Sequence, residues 1–270
     1  MNIVKKIYRK LPDSIKIIVI SAYNKMYKQK VFYTIHKPKA KQAMKILEGQ
    51  GITKIKIANQ NMWKLEPIYT QYYSGYWENK KVFCKVCFDD VYKVVKREYD
   101  ILKRFQEEGG LLSEHVPNVQ LYFKENNVEL IVTEYLDGVN LEKQSPDILN
   151  ICEQMMQLLN EFRKKGIIHG DIRPSNFILK ENTLYIIDFG TAYDKMQVEN
   201  DCIYKQMIMP KALSGMGCGK YSPDDYEYDD AYAVLRTLKD IYPDFKKDYK
   251  SWWRELNLMI GTYVIKLRSK

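Results

Sequence analysis

The chain lacks any apolar run long enough to cross a bilayer. Runs such as Ile17–Ile20 fall far short of the ~20 residues that a spanning helix takes. A secretory leader is not expected either, since Lys16 interrupts the N-terminal apolar stretch and no small-residue cleavage site follows. Cysteine is sparse. The five residues, at 84, 87, 152, 202 and 218, are odd in number and scattered, which argues against a disulfide framework and for a reducing compartment. Cys84-Lys-Val-Cys87 has C-x-x-C spacing, but no second pair stands at zinc-site spacing. On a strand, a three-residue offset also turns the two thiols to opposite faces. Repeats and low-complexity tracts are absent. So is excess positive charge over most of the chain. Residues 1–47 hold 12 Lys/Arg against one acid, Asp13, a net of +11. The other 223 residues hold 31 against 33, a net of −2, and the two sum to the formal +9. A nucleic-acid-binding face spread over the fold is thereby excluded.

What is present suits a globular body: 46% hydrophobic residues and 13% aromatics over 270 positions, enough for one large core or two modest lobes. Residues 1–50 form a basic arm. Pro12-Asp13-Ser14 is expected to start a helix with Ile15, Ile18, Val19, Ala22 and Met26 on one side, surrounded by Lys16, Lys25, Lys28 and Lys30. Such a helix either lies on an anionic membrane surface or packs on the body with its lysines in solvent. From Ile52 the pattern alternates as in strands, with candidates at ITKIKIA, Tyr72–Trp77 and Val82–Phe88 and a turn at Glu78–Lys81. A helix is expected from about Asp90 to Gln106, then strands near Val119–Lys124 and Val128–Glu134, and a linker at Leu136-Asp137-Gly138. The second half reads as mainly helical. Ser145-Pro146 is expected to cap a helix running through Lys165 and stopping at Gly166. Short strands follow at Phe177–Leu179 and Leu184–Ile187, then helices at Ala231–Ile241 and about Trp252–Lys266.

Against this background several polar residues stand out. Lys85 lies inside the apolar strand VFCKVCF, where it either snorkels from an edge or has a partner. Glu98 falls in the apolar stripe Val91, Val94, Val95, Ile101, Leu102 and Phe105 of the next helix. A charge there is costly unless paired, so Lys85 is its natural partner. IIHGDIRPSNF gathers His169, Asp171, Arg173 and Asn176 after a long helix, and Asp188-Phe189-Gly190 follows a strand. This set, in this order, resembles the protein-kinase-like superfamily over about residues 60–240. The resemblance implies an α+β, two-lobed fold: a small antiparallel β lobe with one helix at 51–136 and a mainly helical lobe at 137–270. It implies ATP and Mg²⁺ as cofactors and the following roles. Asp171 is the base that takes or orients the acceptor's hydroxyl proton. Asn176 and Asp188 hold the metal. Arg173 steadies the transferred phosphate. Lys85 and Glu98 form the pair that holds the ATP phosphates. The Glu134 carbonyl and Leu136 amide bond adenine beside Thr133, the gatekeeper. His169 fixes the loop rather than moving protons.

Departures from the family pattern narrow the expectation. No glycine-rich phosphate loop is present, since Tyr73-Ser-Gly75-Tyr-Trp77 offers one glycine. Gly170 follows the histidine where regulated protein kinases carry Arg, which implies activity not switched by loop phosphorylation. His-Gly-Asp resembles small-molecule kinases and bacterial lipopolysaccharide core kinases. The residue anchoring the loop is Asp230 or Asp201. The expectation is a cytoplasmic phosphotransferase acting on a sugar hydroxyl of a lipopolysaccharide or related glycolipid, held at the inner membrane face through residues 1–47. Alternatives are a Ser/Thr or Tyr protein kinase, with Tyr221-Ser-Pro-Asp224 near a peptide-docking segment, and a pseudokinase that acts as a binding module.

Overall fold

Two units divide the chain, Met1–Ile55 and Lys56–Lys270. The computed structural model describes residues 37–58, 63–65, 68–90, 93–143, 147–195, 218–223 and 227–266. The helix expected at Pro12, Ser145-Pro146 and Asp201 lie outside them. In the first unit, α1 (Lys37–Gly49) buries Ala40, Ala43 and Leu47, a stripe at helical spacing. β1 (Thr53–Ile57) then begins where the alternation of ITKIKIA begins and crosses the division between the units.

The second unit opens with an antiparallel sheet ordered β3–β4–β6–β5. Its strands are β3 (Ile68–Trp77), β4 (Lys80–Phe88), β5 (Val119–Glu125) and β6 (Val128–Glu134). The short β2 (Trp63–Leu65) doubles back on β3. Glu78 and Asn79 join β3 to β4 with φ of 48° and 63°, the left-handed pair that a tight hairpin demands. This turn sets the register, with Tyr72 opposite Lys85 and Gly75 opposite Val82. Tyr73–Trp77 is therefore paired strand rather than a loop free to cradle anything. α2 (Val94–Glu108) packs Val95, Ile101, Leu102 and Phe105 into the core. It begins four residues later than expected: Lys93 stands at its N-cap with φ 52°, and Asp90 serves the first turn from outside the helix. The two Asp90 carboxylate oxygens accept from the amides of Val94 (3.0 Å) and Val95 (2.9 Å).

Beyond the linker the chain is mainly helical. Gly138 is a forced choice, since a Cβ there would meet the Leu179 carbonyl oxygen at 2.6 Å. α3 (Ile148–Lys165) ends at Gly166 as expected but starts two residues later than Pro146, because its cap is Asp147, which accepts from the amides of Leu149 and Asn150. β7 (Val139–Asn140), β9 (Phe177–Lys180) and β10 (Thr183–Ile186) make one small sheet, while β8 (Ile167–Ile168) pairs with β11 (Tyr193–Asp194). α4 (Asp230–Ile241) and α5 (Lys250–Met259) complete the helical part. The helix expected to reach Lys266 stops at Met259. Gly261 donates its amide to the Asp229 carboxylate (2.6 Å), and the chain returns as β13 (Ile265–Lys266) against β12 (Glu227–Tyr228). The core runs through Phe105, Phe162, Phe177 and Phe189.

Candidate active site

Lys85 occupies the face of β4 that looks toward α2, while Val82, Cys84 and Val86 point the other way and are fully buried. Its Nζ lies 2.7 Å from Glu98 Oε2 and 2.7 Å from Asp188 Oδ1. The Lys85 and Glu98 side chains are 8% and 9% exposed, so the pair expected from the sequence exists and is a buried one. Burial pushes the Glu98 carboxyl up and Lys85 pulls it back. Burial works to lower the Lys85 ammonium, but Asp188 and Glu98 overcome it and hold the group charged. Asp188 shows the converse. Burial would raise its carboxyl, and the charge and hydrogen bond of Lys85 bring it below the usual range. Its backbone is left-handed (φ 69°), an uncommon state for a residue with a side chain.

The loop after α3 is built from its anchors upward. Asp230, at the start of α4, accepts from the amides of His169 (2.6 Å) and Gly170 (3.0 Å). Of the two candidate anchors, Asp230 is therefore the one that performs the task. His169 is wholly buried. Its Nδ1 accepts from the Asp171 amide (3.2 Å), which leaves Nε2 as the donor toward the Ile187 carbonyl (3.2 Å). Burial pushes the imidazole down to about 4, so it stays neutral. It ties the loop to the strand leading into Asp188 and meets the Phe189 ring edge-on at 4.6 Å. That is a bracing position. Gly170 has φ +77°, and a Cβ there would meet the Thr191 carbonyl oxygen at 3.1 Å. Asn176 Nδ2 donates to both the backbone oxygen and Oδ2 of Asp171, each at 2.8 Å. Arg173 Nη2 stands 3.3 Å from the same Oδ2. Burial pushes the Asp171 carboxyl up to about 7, with Arg173 pulling it down and Asp188 pushing it further up.

The expected residues thus fall into three groups. Lys85, Glu98 and Asp188 form one ion cluster, and Asp171, Arg173 and Asn176 form one loop cluster. Glu134 closes β6 and Leu136 is buried in the connection beyond it. Asn176 turns its amide nitrogen to Asp171, which leaves its Oδ1 available to a cation. That oxygen and the Asp188 carboxylate are hard oxygens of the kind that Mg²⁺ prefers.

Two residues escaped the sequence reading. Arg97 Nη1 donates to the Gly190 carbonyl (2.9 Å), and Arg104 Nη1 reaches Asp194 (2.8 Å) just beyond Asp-Phe-Gly. Both sit on α2 beside its apolar stripe, where an arginine carries no signal that separates it from a solvent-facing one.

A family model described as the protein kinase domain matches residues 73–219. Over 129 residues the chain is 29% identical to a probable serine/threonine-protein kinase of Dictyostelium discoideum, covering 45% of this chain and 8% of that one. Over 102 residues it is 32% identical to the KEOPS complex subunit Bud32 of Pyrococcus abyssi, covering 36% and 43%. The chain thus spans less than half the length of these relatives. Among solved structures it is similar to the kinase domain of PF14_0431, with 18% identity, a TM-score of 0.46, and 67% and 62% of the two chains covered. The matched family span takes in more than half of the chain, including Lys85, Glu98, the His169–Asn176 loop and Asp188, and the chain belongs to the protein kinase domain family.

Proposed function

We propose that the chain is an ATP- and Mg²⁺-dependent phosphotransferase that moves a γ-phosphoryl group to a hydroxyl acceptor. One observation carries this reading: Lys85 Nζ meets both Glu98 and Asp188 at 2.7 Å. Phosphoryl transfer depends on positioning and charge neutralisation, and this cluster holds one cation and one metal-binding carboxylate ready for a polyphosphate. In this reading Lys85 contacts the phosphates and Glu98 orients it. Asp188 and Asn176 hold Mg²⁺, which neutralises charge on the transferred group. The Glu134 carbonyl and the Leu136 amide receive adenine. Asp171 accepts the acceptor's proton, a task suited by a carboxyl poised at about 7. Arg173, beside it, steadies the phosphate.

For the acceptor, the reading favoured is a sugar hydroxyl on a lipopolysaccharide-type glycolipid at the inner face of the cytoplasmic membrane. Gly170 supports it, because no arginine follows His169 to read a phosphorylated protein loop. The net +11 of residues 1–47 supports contact with an anionic surface. A second reading, a Ser/Thr protein kinase, is favoured by the name of the Dictyostelium relative. Labelled ATP offered to purified lipopolysaccharide and to generic protein substrates decides between them. Label is expected on the glycolipid, with none from Asp171→Ala. Label on protein alone establishes the second reading. No label anywhere, together with no ATP-induced rise in melting temperature, overturns both in favour of a binding module.

A further inference from the structure

Across the sheet from Lys85 stands an aromatic residue that the proposed roles leave unused. Tyr72 on β3 is the register partner of Lys85 on β4. Directly opposed residues of an antiparallel pair share a face, so the phenol and the ammonium extend from the same side of the sheet. Phe83 lies two residues before Lys85 on that face and stacks on the Tyr72 ring, with centroids 5.9 Å apart and planes at 23°. The stack leaves the ring little freedom. Burial dominates the environment of the phenol, and the charges of Lys85, Asp188 and Glu98 also act on it. Burial pushes that hydroxyl up to about 12, with Lys85 opposing, so it keeps its proton and remains a donor. Tyr72 is half-buried, and among the described residues its hydroxyl makes no hydrogen bond.

Between Gly51 and Gly75 the sequence has no glycine, and Gly75 itself is paired with Val82 inside the sheet. Successive backbone amides turned toward an anion need left-handed positions that glycine supplies cheaply. With few such glycines, a donor from a side chain gains weight for a triphosphate beside Lys85.

We propose that Tyr72 is a nucleotide-phosphate ligand, its hydroxyl donating a hydrogen bond to a phosphate oxygen of the bound nucleoside triphosphate next to Lys85. The inference rests on the nucleotide-binding reading above. It assigns to one side chain a share of the work that a glycine-rich loop performs with amides.

Tyr72→Phe is the direct test, because it removes one oxygen and keeps the ring and its stack. Titration calorimetry with Mg·ATP and with adenosine, on the full chain, is the measurement. ATP affinity is expected to fall about tenfold, the scale of one hydrogen bond to a charged group, with adenosine affinity unchanged. The ligand-free melting temperature should match wild type. Unchanged ATP affinity overturns the proposal, and so does an equal loss for ATP and adenosine, which would make Tyr72 a base contact. Tyr72→Leu, which also removes the stack, should weaken both ligands. If only Tyr72→Leu weakens ATP binding, the ring rather than the hydroxyl acts, and the proposal fails. A wild-type chain that binds no ATP overturns the phosphotransferase reading along with this one. ATP binding by wild type with no change in Tyr72→Phe overturns this one alone.

Discussion

Asp171 is under two demands that oppose each other. As the proposed base it must be ionised, yet its carboxyl is buried, and burial pushes it up to about 7 from the ordinary 3.8. Between about pH 4 and pH 7 the native state holds a proton that the unfolded chain has released, so stability falls as pH rises through that window. Asp171→Asn keeps the shape, and its side-chain oxygen can still accept from Asn176. It should abolish phosphoryl transfer. It should also melt several degrees above wild type at about pH 8, with the gap closing toward about pH 4. Asp230, pushed up to about 6 by burial, has the same sign in both proteins and cancels from the difference. Thermal melts across that range check the claim, and a variant that melts below wild type at high pH refutes it. At this scale the sequence was readable wherever a charge interrupted an apolar pattern. Lys85 and Glu98 announced themselves by the cost of burying either alone. Tyr72 did not, because tyrosine is an ordinary strand residue.

α2 is the element on which the ion cluster depends, and its hold on the helical part goes well beyond Glu98. Arg97 binds the Gly190 carbonyl. Arg104 binds Asp194, the Lys165 carbonyl (3.2 Å) and Glu108 (2.7 Å). These bonds seat the helix against Asp-Phe-Gly. Arg104→Met keeps the aliphatic stem but leaves Asp194, 3% exposed, without this cation. The expected cost is about 2 kcal/mol, less than for a fully buried pair because Arg104 is partly open to water. Amide exchange should quicken across α2 and β11, and phosphoryl transfer should slow as Glu98 loses its seat. Lys103→Met is the control, since its partner Glu107 lies 3.8 Å away on the exposed surface. Equal effects from the two variants would refute the assignment. The elements were legible where one rule governed them. Val128–Glu134 has its expected span and α3 its expected end because period and stop signals agree. Misreadings arose where a nearby residue outcompeted the obvious one. Asp147 caps α3 from inside the expected start, Asp90 takes the first amides of α2 from outside it, and Gly261 follows the end of the helix that the pattern after Trp252 extends.

For the whole molecule, the charge division is the property with the longest reach. Residues 1–47 carry a net +11 and the rest −2, so the chain is an electrostatic lever and not a uniformly basic body. A lever of that kind responds to salt. At 0.1 M the screening length is about 10 Å, and at 1 M it is about 3 Å, so attraction to an anionic surface should be strong in the first case and lost in the second. Each basic residue near such a surface contributes about 1 kcal/mol, and residues 1–30 hold eight Lys/Arg against Asp13 alone. Deleting residues 1–30 should therefore abolish co-sedimentation with anionic vesicles at low salt, while wild type partitions to the vesicles and is released at high salt. Neutral vesicles should bind neither. The competing arrangement, in which the amphipathic stretch from Ile15 to Met26 packs on the body, makes the opposite pair of predictions. Deletion would then lower the melting temperature, because apolar area is exposed, and leave partitioning unchanged. Measuring both quantities on the same two proteins separates membrane contact from packing, since one set of apolar residues cannot be committed to both.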